Sequence, residues 1–137
     1  MIVYADMVAD LFHKGHLEFL KKCRNIAGQR PLVIGIHNDD DVASYKRRPV
    51  QPMSHRADTV RSLKMVDRVV EDAPVILTKE YLEKIGAAVV VHGTDGLGDP
   101  KCQQMYAVPE DMGIMVYVKS CSGVTTTQII EKVKNAY

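Results

Sequence analysis

The sequence predicts an α/β fold, a Rossmann-like, doubly wound parallel sheet in a single domain over residues 1–137. Three observations support this prediction. The chain has 137 residues, the size of one ordinary domain. Its short hydrophobic runs are apolar throughout, as strands buried on both faces are. Amphipathic segments at helical spacing separate these runs, and helices in that position cover both faces of a parallel sheet.

The first half of the chain begins with a predicted strand over residues 2–5 and a helix over residues 15–27, where apolar residues recur at helical spacing. A second buried strand is predicted over Leu32–Ile36. An acidic, a basic and a proline-rich stretch follow, and together they predict an irregular loop over residues 39–52. Ser54 is predicted to cap the next helix.

The second half begins with a short third strand, which is predicted to start at Val69 and Val70. Thr78 is predicted to cap a helix that ends at Gly86, since helices commonly end at glycine. A fourth strand over residues 88–91 is followed by His92 and Gly93 at its carboxyl end.

The last part is predicted to hold a short helix near residues 103–107, a fifth strand over residues 114–118 and a final helix over Thr126–Ala136. Ligands of such sheets bind beyond the carboxyl ends of the strands, where the strand order reverses. Functional residues are therefore expected in the loops that follow the strands.

Composition excludes several classes of function. Eighteen Lys and Arg against seventeen Asp and Glu give a net charge of +1, and the chain has no Trp and two Phe. This balance predicts no nucleic-acid partner, because it gives no strong positive field and because the absence of Trp and the low number of Phe remove the usual base-stacking surfaces. No basic leader and no run of about 18 apolar residues is found, which predicts a cytoplasmic protein without a membrane partner. Three dispersed cysteines without ligand spacing predict a reduced protein and no protein-bound metal site.

The sharpest functional feature is the tetrapeptide His13-Lys14-Gly15-His16, between the first strand and the first helix. Two imidazoles can present N–H donors to phosphate oxygens, the glycine allows close approach, and the helix N-terminus adds partial positive charge. Two surface histidines in a turn, or part of a metal site, are the alternatives. No third ligand has companion spacing, and the strand-to-helix position favours phosphate.

Two other segments could bind phosphates at the same edge. Gly123 precedes Thr125, Thr126 and Thr127, whose hydroxyl and main-chain N–H groups open the last helix. An ordinary helix cap is the alternative. Lys46 lies in a basic cluster that is either a solvated surface or a source of a mobile cation for phosphates.

Carboxylates and one further turn complete the candidates. Asp6 and Asp10 flank the first loop, where a carboxylate could hold a substrate cation or stabilise a turn. His92, Gly93 and Asp95 follow the fourth strand at the ligand edge, with a tight turn as the alternative.

Together these residues resemble the HxGH nucleotidyltransferase superfamily, and more closely its cytidylyltransferase family with the choline-phosphate and ethanolamine-phosphate enzymes. The chain reads YADMVADLFHKGH and SCSGVTTTQII where the family shows GxFDxxHxGH and RTxGxSTT. The segments RPVQPMSHR, VDRVVEDAP, LTKEYL and VVHGTD are similar in order and spacing. The resemblance covers nearly the whole chain.

The resemblance implies CMP transfer from CTP to a small phosphate-bearing acceptor, with pyrophosphate release and no covalent intermediate. It implies Mg²⁺ held mainly by the CTP phosphates, and a homodimer. The catalytic residues it implies are His13, His16, Lys46 and Thr126. The nucleotide-binding residues it implies are Val8, Ala9, Gly15, His92, Gly93, Asp95, Ser120, Gly123, Thr125 and Thr127. The acceptor-binding residues it implies are Asp6, Lys46, Arg56 and Val75.

Departures from the family pattern leave alternatives open. Met7 and Ala9 replace the family's glycine and phenylalanine, and Ser120 replaces an arginine, which favours weak activity or an altered nucleotide pose. Val75 stands where choline enzymes carry an aromatic residue, so no choline cage is expected and a phosphoethanolamine-like acceptor fits better. The alternatives are a CTP:phosphonate cytidylyltransferase with a 2-hydroxyethylphosphonate-type acceptor, a catalytically weak nucleotide-binding homologue, and an adenylyltransferase.

Overall fold

The computed structural model describes residues 1–119 and 123–137, and its centre is a sheet of five parallel strands. The strands are β1 (Ile2–Met7), β2 (Leu32–Ile36), β3 (Arg68–Glu71), β4 (Ala87–Gly93) and β5 (Met115–Val118). Their order is β3-β2-β1-β4-β5, and every neighbouring pair is parallel. The strand order reverses between β1 and β4, which opens a crevice at the carboxyl edge of the sheet. The predicted doubly wound sheet is confirmed.

Helices cover both faces of this sheet. They are α1 (Lys14–Ala27), α2 (Asp39–Ala43), α3 (Met53–Arg61), α4 (Lys79–Ile85), α5 (Pro100–Asp111) and α6 (Thr126–Ala136). On one face Leu20 and Val60 bring α1 and α3 into a buried cluster with the sheet. On the other face Leu82 and Tyr106 do the same for α4 and α5. Within the described part of the chain, no helix has the length and apolar character needed to cross a bilayer.

The stretch predicted as an irregular loop contains the short helix α2, so that prediction is wrong over Asp39–Ala43. Asn38 caps this helix, with its side-chain oxygen accepting from the Asp41 main-chain N–H at 2.7 Å. The three aspartates occupy the first turn, where negative charge is stabilised by the helix dipole. The acidic run therefore marks a helix start.

The helix caps were predicted with mixed success. The cap position of α3 is occupied by Pro52, which has an extended backbone and makes no side-chain cap. Ser54 lies inside the first turn, so the prediction that it caps this helix is wrong. In α4 the prediction is confirmed. Thr78 accepts from the Tyr81 main-chain N–H at 3.2 Å, and Gly86 ends the helix with a φ of 73°, a conformation that glycine adopts at little cost.

Helix α5 is longer than the short helix predicted near residues 103–107. Asp99 caps its start by accepting from the Lys101 main-chain N–H at 2.9 Å. Pro109 lies inside the helix and has no N–H to donate to the carbonyl four residues earlier. That carbonyl, of Met105, instead accepts from the Leu77 main-chain N–H at 3.0 Å. The proline thus ties α5 to the segment before α4.

Gly35 in the middle of β2 makes room for a tyrosine from the neighbouring strand. Tyr4 is fully buried, and its hydroxyl lies 3.1 Å from the hydroxyl of Tyr81. A Cβ atom on Gly35 would lie 2.0 Å from the Tyr4 hydroxyl oxygen. The close approach of the Tyr4 side chain to β2 requires glycine at this position.

Candidate active site

A cavity of about 800 Å³ opens at the carboxyl edge of the sheet, where the strand order reverses between β1 and β4. This volume is typical of small-molecule sites. The predicted site residues that line it are Asp6, Val8, Ala9, His13, Gly15, His16, Lys46, His92, Gly93, Asp95, Gly123, Thr125, Thr126 and Thr127. The structure therefore brings together most of the predicted site, from both ends of the chain.

The histidine motif forms a reciprocal cap at the start of α1. His13 Nδ1 accepts from the Gly15 main-chain N–H, and His16 Nδ1 accepts from the His13 main-chain N–H, each at 3.0 Å. Because Nδ1 is an acceptor in both rings, the proton of each neutral imidazole is on Nε2. The ring centroids are 4.0 Å apart. The motif thus offers two adjacent Nε2–H donors on the cavity wall.

Both rings are neutral near pH 7. Burial is the main cause that lowers the pKa of His16 to about 4, and the charges of the nearby His13 and Lys46 lower it further. Burial also lowers the pKa of His13. The two histidines therefore provide N–H dipoles to an anion and carry no full positive charge.

The start of α6 offers a second set of donors. Thr125 caps this helix by accepting from the Gln128 main-chain N–H at 3.1 Å, while Gln128 Oε1 accepts from the Thr125 N–H at 3.1 Å. The main-chain N–H groups of Thr126 and Thr127 have no partner among the residues that the structure describes. Free N–H groups at a helix N-terminus bind anions, because they point out along the positive end of the helix dipole.

Thr126 joins the two sets of donors. Its hydroxyl donates to the main-chain oxygen of Asp10 at 3.1 Å and lies 3.4 Å from His13 Nε2. The start of α6 is therefore held directly against the histidine motif, and one phosphate chain can reach both.

Three hydrogen bonds tie the first loop to the loop that carries Lys46, and we term them the Asp10–Gln51 clasp. The carboxylate of Asp10 accepts from the main-chain N–H groups of Val50 at 2.8 Å and Gln51 at 3.0 Å. The side-chain oxygen of Gln51 accepts from the Leu11 N–H at 2.8 Å. Leu11 and Ala9 have φ values of 48° and 57°, which non-glycine residues adopt rarely. The clasp supports this left-handed backbone. Asp10 therefore has the second of its two suggested roles, the stabilisation of a turn.

Lys46 lies just before the clasped segment and provides a cation on the cavity wall. Partial desolvation, together with the neighbouring Arg47 and Arg56, lowers the pKa of Lys46. The ammonium lies 5.6 Å from the ring centroid of Tyr45, within cation–π distance.

A buried polar network lies at the base of the cavity around Asp6, which is only 2% exposed to solvent. The Tyr106 hydroxyl donates to Asp6 Oδ1 at 2.6 Å, and His37 Nε2 lies 3.1 Å from Oδ2. The Tyr45 hydroxyl lies 3.3 Å from His37 Nδ1. With that hydroxyl donating to Nδ1, the Nε2–H of His37 donates to Asp6. Two donors therefore hold the carboxylate in one orientation.

His92, near the end of β4, packs beside this network. Its ring centroid is 4.3 Å from that of Tyr106, and burial lowers the pKa of His92. Nδ1 of His92 is buried without a hydrogen-bond partner within residues 1–119 and 123–137. A ligand in the cavity can supply the missing bond, because an unpaired buried polar atom is costly.

Arg56, which was predicted to bind the acceptor, lies beneath the cavity and not on its wall. Arg56 is fully buried and does not line the cavity. Its guanidinium donates to the main-chain oxygens of Val8 (2.7 Å), Gln51 (2.9 Å) and His37 (3.0 Å) and to the carboxylate of Asp39 (2.5 Å). Arg56 therefore holds together the loops that follow β1 and β2, and its guanidinium does not face the cavity.

Val75, also predicted to bind the acceptor, lies between β3 and α4 and outside the cavity lining. Ser120 lies outside the described residues. The aromatic rings at the base of the cavity come instead from Tyr45 and Tyr106, which the sequence did not single out. His37 was missed too, although it directly follows β2 at the ligand edge, the same signal that identified His92.

Comparisons with known proteins identify one family model and several relatives. A family model described as cytidylyltransferase-like matches residues 5–132. Ethanolamine-phosphate cytidylyltransferase of Dictyostelium discoideum is 34% identical over 128 residues, covering 93% of this chain and 35% of the relative. Choline-phosphate cytidylyltransferase 2 of Arabidopsis thaliana is 31% identical over 141 residues, covering 98% and 45%. The chain thus spans less than half the length of these relatives.

Solved structures share the fold. A lipopolysaccharide core biosynthesis protein from Thermoplasma volcanium superposes with a TM-score of 0.65 at 20% identity, over 88% of this chain and 96% of the other. Pantothenate synthetase from Thermus thermophilus superposes with a TM-score of 0.63 at 12% identity, over 99% and 65%.

Proposed function

The chain belongs to the cytidylyltransferase-like family, and on that basis we propose that it transfers CMP from CTP to a small phosphate-bearing acceptor, releasing pyrophosphate. The observation that carries the proposal is the meeting of two neutral imidazole N–H donors with the open N-terminus of α6 in one cavity. Donors from two helices suit a chain of phosphates better than a single phosphate.

The transfer needs no covalent intermediate. An oxygen of the acceptor phosphate attacks the α-phosphorus of CTP and forms a new P–O bond. The bond from that phosphorus to the oxygen bridging the α- and β-phosphates breaks, and its electron pair leaves with pyrophosphate. Positioning and charge stabilisation supply most of the catalysis in such reactions.

Each donor has a part in this step. The Nε2–H groups of His13 and His16 donate to phosphate oxygens as negative charge moves toward the leaving group. The N–H groups of Thr126 and Thr127 hold the departing phosphates. Lys46 lies between the two reacting anions and offsets their repulsion.

Mg²⁺ is proposed to arrive bound to the phosphates of CTP, as part of the substrate. Among the described residues no group of three His, Cys, Asp or Glu side chains is placed to hold a metal, and both oxygens of Asp10 bind main-chain N–H groups. Mg²⁺ commonly binds through substrate phosphates, where it neutralises part of their charge.

The network around Asp6 supports a small acceptor related to phosphoethanolamine. Its carboxylate accepts two hydrogen bonds and has sites for two more, which suits a primary ammonium or a hydroxyl group. His92 Nδ1 is a further polar contact beside it. A short phosphonate presents the same oxygens to Lys46, so 2-hydroxyethylphosphonate and 2-aminoethylphosphonate are the finer alternatives.

Pyrophosphate release tests the proposal, with CTP, Mg²⁺ and a panel of phosphoethanolamine, phosphocholine, glycerol 3-phosphate and the two phosphonates. Release with one acceptor is expected, and it identifies the substrate. His16→Ala should lower kcat by about 10²–10³-fold, the usual effect of losing a transition-state donor. His55→Ala is the matched control, because His55 is exposed on α3 and outside the cavity.

Two results would contradict the proposal. CTP binding without release for any acceptor would favour a nucleotide-binding homologue. Faster release with ATP than with CTP would favour an adenylyltransferase.

A further inference from the structure

Two consecutive arginines on the loop after α2 differ in what they contact. Arg48 is paired with the carboxylate of Asp40 at 2.9 Å and does not line the cavity. Arg47 lines the cavity, and within residues 1–119 and 123–137 its side chain has neither a hydrogen-bond acceptor nor a carboxylate partner. A guanidinium carries five N–H donors in a fixed fork, so Arg47 can bind an anion in the cavity.

Arg47 belongs to a group of three cations on one wall of the cavity. Desolvation is the main cause that lowers the pKa of Lys46, and the guanidinium of Arg47 lowers it further, so these two cations lie near each other. Lys101, at the start of α5, also lines the cavity, and its ammonium donates to the main-chain oxygen of Tyr45 at 3.5 Å. Tyr45 directly precedes Lys46 in the chain. Like charges gathered in this way repel each other, and an anion bound among them relieves the repulsion.

The acidic side chains nearby do not neutralise this group. Asp10 binds two main-chain N–H groups in the Asp10–Gln51 clasp, and Asp99 caps α5 by accepting from the Lys101 main-chain N–H. The charge of Asp95 acts on His92, where it opposes the effect of burial on the pKa. In the part of the chain that the structure describes, none of these carboxylates forms an ion pair with Lys101. A ligand anion is therefore the natural partner of the three cations.

The position of Lys46 indicates which anion this is. The charge of Lys46 acts on both His16 and His92, so Lys46 lies between the triphosphate donors and the network at the base of the cavity. Tyr45, which accepts from Lys101, reaches that network through its hydroxyl, 3.3 Å from His37 Nδ1. The histidine motif and the start of α6 already provide donors for the triphosphate. The remaining cations thus lie where the acceptor enters the transfer step.

We propose that Arg47 binds the phosphorus-containing group of the acceptor through two of its three terminal oxygens, and that Lys101 adds a second positive charge beside it. The planar fork of a guanidinium matches two oxygens on one phosphorus. The third oxygen stays free to attack the α-phosphorus of CTP. The acceptor is then a phosphate monoester or a phosphonate, because a phosphate diester or a carboxylate has no third oxygen. The inference rests on the proposed function, since it takes the second anion to be the acceptor.

Calorimetric titration of the full chain in Mg²⁺ tests the inference, with phosphoethanolamine, 2-aminoethylphosphonate and inorganic tripolyphosphate as the three ligands. Arg47→Gln should weaken binding of the first two by about 10–100-fold, the scale of hydrogen bonds to a charged group, and should weaken tripolyphosphate much less. Arg48→Gln is the matched control, because Arg48 is the next residue, is exposed and does not line the cavity. It should bind all three ligands as the wild-type chain does.

A second variant separates the fork from the charge. Arg47→Lys keeps the positive charge and loses the fork, so it should recover only part of the affinity for phosphoethanolamine. Full recovery would overturn the contact to two oxygens. Equal weakening of all three ligands in Arg47→Gln would place Arg47 on the triphosphate and overturn the inference, as would unchanged binding or a wild-type chain that binds neither acceptor.

The inference and the proposed function fail in different ways. If Arg47→Gln selectively weakens binding of the acceptors but no acceptor yields pyrophosphate, the inference stands and the transfer activity fails. If pyrophosphate is released and the KM for the acceptor is the same in Arg47→Gln and the wild-type chain, the inference fails and the transfer activity stands.

Discussion

Arg56 is expected to stabilise the fold without binding the acceptor, and Arg56→Lys tests this directly. The guanidinium is fully buried and makes four hydrogen bonds, three to main-chain oxygens and one to Asp39. Lysine keeps the positive charge but replaces the planar fork with one ammonium group, which cannot reach acceptors on all sides.

The expected loss of unfolding free energy follows from these contacts. At least two of the four acceptors lose their donor, and each unsatisfied buried acceptor costs about 1–3 kcal/mol. Disrupting a buried charge pair costs about 3–5 kcal/mol when one partner is removed. Since the pair with Asp39 is weakened and not abolished, Arg56→Lys should lower the unfolding free energy by about 3–5 kcal/mol in total.

Urea unfolding measures this loss. For a slope of about 2 kcal/mol per molar urea, the midpoint should fall by about 2 M. Arg48→Lys is the control, because the Arg48–Asp40 pair (2.9 Å) has side chains that are 61% and 87% exposed. An exposed pair of this kind contributes at most about 1 kcal/mol, so the control should unfold near the wild-type midpoint.

The opposite result would refute the reasoning. If Arg56→Lys unfolds at the wild-type midpoint while the KM for the acceptor rises, Arg56 faces the substrate and the structural role is wrong.

Two further predictions concern stability. Between pH 6.5 and about 4 the unfolding free energy should fall as the pH falls, because unfolded His16 binds a proton at its ordinary pKa while the folded ring stays neutral down to about pH 4. Urea midpoints at pH 7, 5.5 and 4.5 should show a weaker dependence in His16→Asn, and equal dependence in both proteins would contradict the assignment. Gly35→Ala should cost about 1–3 kcal/mol, because the added Cβ meets the Tyr4 hydroxyl at 2.0 Å. Gly98→Ala, whose Cβ meets nothing within 4 Å, is the control, and equal thermal midpoints for the two variants would disprove the steric account.

Features set by neighbouring residues could be predicted from the sequence. The histidine motif is contiguous, and its cap at the start of α1 involves residues no more than three positions apart. The apolar strands could be predicted because both faces of the sheet are covered. The position of the ligand edge, beyond the carboxyl ends of the strands, then followed from general rules for parallel sheets.

Features set by distant contacts could not be predicted. Tyr106 reaches Asp6 across 100 positions of the chain, and neither residue carries a local signal of the other. Arg56 has the type and spacing of a surface residue, and only the four acceptors that surround it explain its burial. The parts of the site formed by contiguous residues, such as the histidine motif, could therefore be predicted. The parts formed by contacts between distant residues, such as the network around Asp6, could not.

The Asp10–Gln51 clasp has a consequence for ligand binding. A mobile loop loses conformational entropy when it closes over a ligand, and about 1–2 kcal/mol per fixed residue opposes association. Here the clasp orders the first loop and the segment after Lys46 when the chain folds, before any ligand is present. Binding energy then remains available for the transition state, because the wall that meets the phosphates is preorganised.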